Sequence, residues 1–140
     1  MKKIYLISIL LCYAFNAYSQ SNYSGDWGWD VKTANFSISI IQKDNIIKGT
    51  HCAIAQNGNR IDCDVAYLDN NKSIFGIVKG DSVLVTFISA YCGKPGTAVI
   101  KRINATQIQW RITKQTDGIS FIPGNVIMTL ESEMRSGSEK

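Results

Sequence analysis

Apolar and polar residues alternate along most of this chain with a period of two, and a helical period is almost absent. Phe36, Ile38 and Ile40 alternate with Ser37, Ser39 and Ile41. Ile108, Trp110 and Ile112 alternate with Gln107, Gln109 and Arg111, which predicts a strand with its apolar set inward. Short runs of this kind recur about every ten residues between turn signals. They predict strands over 26–31, 35–42, 46–55, 73–79, 82–90, 97–104, 106–113 and 126–130. A partner strand for 46–55 is expected just beyond Asn57-Gly58. Consecutive strands joined by short hairpins form a meander, and a meander of eight or nine strands can close on itself and remove its exposed edges. The expected fold is all-β, a single antiparallel up-and-down β-barrel of about eight strands.

Asn57-Gly58 is the strongest hairpin signal, because a type I′ turn needs positive φ at both central residues. A hairpin centred there sets Ala55 against Arg60, Ile54 against Ile61, Ala53 against Asp62 and Cys52 against Cys63. Gly80-Asp81 marks a second tight hairpin. Cys92-Gly93-Lys94-Pro95-Gly96 reads as an irregular loop.

The first nineteen residues do not fit this pattern. Lys2 and Lys3 precede the apolar run Ile4–Phe15, and Ala17 and Ser19 place small residues before a cut at Gln20. That is the layout of a cleaved secretory signal peptide over 1–19, with an apolar run too short for a membrane anchor. Cys12 follows Leu11, where a lipoprotein cysteine would need a small residue, so it is expected to leave with the leader. The barrel domain then occupies 20–130, and the serine-rich, charged segment 131–140 is expected to be a disordered tail. The short leader with its Met-Lys-Lys start points to a bacterial protein and a periplasmic or secreted location.

Composition adds exclusions. Lys2 and Lys3 account for two of the four net positive charges, and no basic stripe suited to nucleic acid remains. Export leaves Cys52, Cys63 and Cys92 in an oxidising compartment, where two should pair. Three pairings are open, and the hairpin register favours Cys52–Cys63.

Candidate chemistry is sparse. His51, Cys52, Asp62, Cys63 and Asp64 gather on one hairpin, but neighbouring strand residues point to opposite faces, so no metal site is expected. Asp62 and Asp64 share a strand face, which suits a solvated edge at least as well as acid–base work. A Cys92–His51 dyad is the one nucleophile arrangement the residues offer on paper, and the chain is not expected to be an enzyme or to hold a cofactor. The aromatics suit either a filled barrel or an apolar pocket; Trp29, Trp110 and His51 are the pocket candidates. Tyr91 and Lys94, on a loop carried by a stiff scaffold, are candidates for touching a protein partner.

Gly25-Asp26-Trp27, Ile47-Lys48-Gly49-Thr50-His51, Ile74-Phe75-Gly76 and Ile108-Gln109-Trp110, in that order, resemble the avidin and streptavidin family of lipocalin-like barrels. The resemblance implies the barrel and a pocket tryptophan at Trp110. It does not carry over biotin binding: His51 stands where the family has a tyrosine, and Gly28-Trp29-Asp30 lacks the family's polar ligand residues. Gly49–Cys63 is also similar to a stretch of small uncharacterised exported bacterial proteins. The leading expectation is an exported barrel that binds a small apolar or amphipathic molecule. The alternative is a periplasmic inhibitor or immunity protein acting on a cell-envelope enzyme.

Overall fold

The computed structural model describes residues 21–63 and 72–132. The leader at 1–19, Asp64 and the tail from 133 onward lie outside them. Nine strands follow in order: β1 (Gly25–Val31), β2 (Ala34–Lys43), β3 (Ile46–Ala55), β4 (Arg60–Cys63), β5 (Ile74–Lys79), β6 (Ser82–Ile88), β7 (Pro95–Arg102), β8 (Gln107–Lys114) and β9 (Asn125–Leu130). All pairings are antiparallel. Eight strands close into a barrel, β1 meeting β9 through Trp27 opposite Leu130 and Gly28 opposite Thr129.

The ninth strand, β4, is the exception. One edge of β3 is taken by β2 from Ile46 to Ile54. The other edge is shared: β5 covers Ile46–Gly49, and the four-residue β4 covers Cys52–Ala55. β4 pairs in the register expected from Asn57-Gly58, with Cys52 opposite Cys63 and Ala53 opposite Asp62. Asn57 and Gly58 both have positive φ, and Asn59 N–H donates to Gln56 O at 3.2 Å, closing the turn.

Cys52 and Cys63 are bonded to each other, which settles the pairing, and Cys92 is an unbridged thiol. The bridge lies on the outer wall, since the inward residues of β3 are Ile47, Gly49, His51 and Ala53. In the chain-entropy account its stabilisation comes from restricting the unfolded chain. Replacing both Cys52 and Cys63 with serine is therefore expected to lower unfolding free energy by about 2–3 kcal/mol while leaving the core packing unchanged. Urea unfolding checks the first part and near-ultraviolet circular dichroism the second.

One departure from the expected loops concerns Pro95, which opens β7 opposite Ile88 instead of lying in a loop. A proline is tolerated there because the first residue of a strand need not donate to the ladder.

Alternation places one continuous apolar cluster inside. Phe36, Ile38 and Ile40 are all buried, as are Ile108 and Trp110. Phe87 lies across from Gly96, where a β-carbon would run into its ring. One barrel end is closed by Tyr23. Its O–H donates to Asp81 O at 2.7 Å, its carbonyl accepts from Trp27 Nε1 at 3.0 Å, and the Arg102 guanidinium lies 5.0 Å from its ring centroid.

Candidate functional site

The opposite end of the barrel is organised by the gap that β4 and β5 leave on β3. His51 sits in that gap, between Gly49, paired with β5, and Cys52, paired with β4. Its backbone N–H has no strand opposite and donates instead to Ser73 Oγ at 3.2 Å. Its imidazole points inward and is buried, with Nδ1 2.6 Å from Ser73 Oγ and Nε2 3.3 Å from Asp62 Oδ1. A carboxylate only accepts, so Nε2 carries the proton towards Asp62, while Nδ1 and the Ser73 hydroxyl share the second hydrogen bond.

Asp62 is 0% exposed. The sequence placed it on a solvated edge. The structure corrects this, because two loops from distant parts of the chain fold over it. Ser89 Oγ donates to its Oδ2 at 2.7 Å and Ala90 N–H to its Oδ1 at 2.8 Å, from the β6–β7 loop. Phe121 N–H donates to Oδ2 at 2.9 Å, from the β8–β9 loop. One carboxylate thus ties β3, β4 and both loops together.

Burial alone would push the Asp62 carboxyl up. The donors at His51, Phe121, Ser89 and Ala90 outweigh it and hold the pKa down at about 2, from an ordinary 3.8. A carboxyl depressed in the folded state stabilises fully above its unfolded value and loses that contribution as pH falls through its folded value. The expected result is a decline in unfolding free energy between pH 4 and pH 2, about 2 kcal/mol of it from Asp62. Urea titrations across that range, alongside Asp62→Asn, check it: the gap between the two proteins should narrow as the pH falls.

Above this knot lies a surface cluster. Tyr91 and Phe121 meet edge to face at 4.8 Å, and Arg60 lies 5.9 Å from the Phe121 ring centroid. Tyr91 and Ile119 are exposed. The Tyr91 N–H donates to Ser89 Oγ at 3.2 Å and Gly93 N–H to Ser89 O at 3.0 Å, so the serine that grips Asp62 also shapes the turn carrying Tyr91. Of the residues singled out in the sequence, Tyr91 belongs to this cluster and Lys94 is exposed three residues further on the same loop. Phe121, Arg60 and Asp62 were missed as a group. Asp62 carried a signal, since alternation from Cys63 puts it on the same inward face as His51.

The remaining candidates lie elsewhere. Trp110 is 0% exposed, packed edge-on to Phe36 at 5.3 Å and against Phe87 at 5.6 Å, with Nε1 donating to Pro123 O at 3.0 Å. Trp29 is half-buried against the same core. Cys92 packs beside Gly118, and no bond joins it to His51 among those described. No group of acidic, cysteine and histidine residues among those described is suited to hold a metal ion.

No protein-family model, no curated protein and no solved structure matches the chain.

Proposed function

We propose that this protein is an exported protein-binding barrel, of the inhibitor or immunity type, that presents Tyr91, Phe121 and Arg60 to an enzyme of the cell envelope. The observation that carries the reading is the buried Asp62 carboxylate directly beneath them. It grips the backbone at Ala90 and Phe121 and the side chain of Ser89, so exposed Tyr91 and half-buried Phe121 stand on loops already fixed before any partner arrives. Tyrosine and arginine dominate binding energy at protein interfaces, and preorganised loops avoid the entropy cost of ordering on association. The reading in which a small apolar ligand enters the barrel is less well supported: Phe36, Phe87, Trp110 and Met128 are fully buried.

Native mass spectrometry of the protein isolated from its host's exported fraction tests the proposal. The expected result is a second polypeptide bound to the wild type and reduced at least tenfold for Tyr91→Ala. Extra mass of a few hundred daltons would sink it in favour of the small-ligand reading, and a partner equally abundant on Tyr91→Ala would sink the assignment to this face.

One further observation favours a second reading. Ser73, His51 and Asp62 stand in the order hydroxyl, imidazole and carboxylate, the residue types of a serine-hydrolase triad but on exchanged ring nitrogens, with Ser73 at Nδ1 and Asp62 at Nε2. Against it, Ser73 is buried and its hydroxyl already accepts the His51 N–H. Labelling of Ser73 by a fluorophosphonate would support hydrolysis; an unlabelled protein beside a labelled control hydrolase would dispose of it.

A further inference from the structure

The outer wall of the barrel is polar at Asp26, Ser37, Ser39 and Thr129, but one sector differs. Outward residues of β3, β5, β6 and β7 stand directly opposite one another as a single apolar row: Ile46, Ile77, Leu84 and Val99. Phe75 lies in the adjoining row. Ile46, Phe75, Ile77 and Leu84 are each 41–49% exposed, and a shallow groove of about 460 Å³ runs past Phe75, Ile77, Leu84 and Val99. Adjoining exposed apolar side chains of this kind mark an interaction face.

Its rim is basic on every side. Lys43 faces Ile46 at one end of the row, and Arg111 faces Val99 at the other. Lys48 faces Phe75, Lys114 faces Thr97, and Lys79 and Lys101 both face Ser82. Two carboxylates adjoin this ring of six cations, Asp44 and Asp81, and Asp81 is paired with Lys101 at 3.8 Å.

We infer that this sector docks on an anionic lipid surface, with the lysine ring on the phosphates and the Ile46–Ile77–Leu84–Val99 row dipping into the acyl boundary. Charge decides the occupant. A second copy would bring the same cations against these, and like charges across an interface repel. A protein partner is disfavoured by composition, since lysine is depleted at protein interfaces whereas tyrosine, tryptophan and arginine are enriched. This ring has five lysines to one arginine and no tyrosine or tryptophan. Lysine stems instead lie along apolar surface while the ammonium reaches the headgroups. The inference is independent of the protein-binding end, which lies on the β6–β7 and β8–β9 loops.

Sedimentation of the exported, leader-free chain with phospholipid vesicles tests it. The expected result is partitioning at least tenfold stronger onto equimolar phosphatidylglycerol and phosphatidylcholine than onto phosphatidylcholine alone, weakened by 1 M salt. Ile77→Glu and Leu84→Glu change exposed side chains, so both should fold, verified by circular dichroism, and both should lose at least tenfold in binding. Equal partitioning onto the two vesicle types, or variants that bind like the wild type, would overturn the inference. A lipid-free dimer that Ile77→Glu converts to monomer would also overturn it, assigning the face to a second copy.

Discussion

Asp62→Ala is expected to destabilise the protein by about 3–5 kcal/mol, among the largest effects of any single substitution in this chain. The substitution does more than delete a favourable contact. It leaves the N–H groups of Ala90 and Phe121, the Ser89 hydroxyl and the His51 Nε2 proton without the acceptor they share; His51 and Ser89 are buried, and the two loop N–H groups are partly so. Each unsatisfied buried donor costs about 1–3 kcal/mol, and only local opening to admit water recovers part of that. Asp62→Asn keeps the shape but turns one acceptor into a donor facing donors, so about half the loss or more is expected to remain. Urea unfolding measures both. Amide hydrogen exchange locates the damage, which should appear as lost protection at Ala90 and Phe121 while β7 and β8 stay protected. A loss below 1 kcal/mol would mean that the loops hold their positions without the carboxylate, and the case for a preorganised Tyr91 would go with it.

The second large effect concerns Trp110. Trp110→Ala is expected to cost about 3–5 kcal/mol, combining lost transfer energy with a cavity between Phe36 and Phe87 and an orphaned Pro123 carbonyl. Trp110→Phe should cost less, since it refills most of the volume. The comparison separates two roles for the same residue. A side chain that closes the barrel interior costs several kcal/mol to truncate, whereas one that lines an open pocket loses ligand binding with little loss of stability. Urea unfolding of the ligand-free protein decides between them, and a loss under 1 kcal/mol for Trp110→Ala would restore the pocket role that the sequence suggested for it.

Much of the fold is legible in the pattern of residues. Strand spacing, the Asn57-Gly58 and Gly80-Asp81 hairpins and the inward sets of β2 and β8 follow from local rules: a period of two, and positive φ at turn positions. The pairing of Cys52 with Cys63 follows from the hairpin register. The split edge of β3 is not local. Nothing within Ile46–Cys63 says that β5 will arrive beside Gly49 and leave His51 facing a gap. The burial of Asp62 is less local still. Its partners lie 28 residues away at Ala90 and 59 away at Phe121, and alternation fixes the direction of a side chain without saying what covers it. An aspartate on an apolar face is the trace this leaves in the sequence, legible as an inconsistency rather than as a site.

β4 also bears on the order in which the molecule assembles. Its four residues carry two fastenings of very different reach. Cys63 joins Cys52 across eleven positions, whereas Asp62 must wait for loops that close over 27 to 59 positions. Closing a short loop sacrifices less chain entropy, so the hairpin and its oxidation belong early and the gathering of the two loops late. In that order, the neighbouring bridge would hold the carboxylate in place on β3 by the time Ala90 and Phe121 arrive. Oxidation of this pair would then act as a timing step, completing the anchor before the segments it anchors have folded.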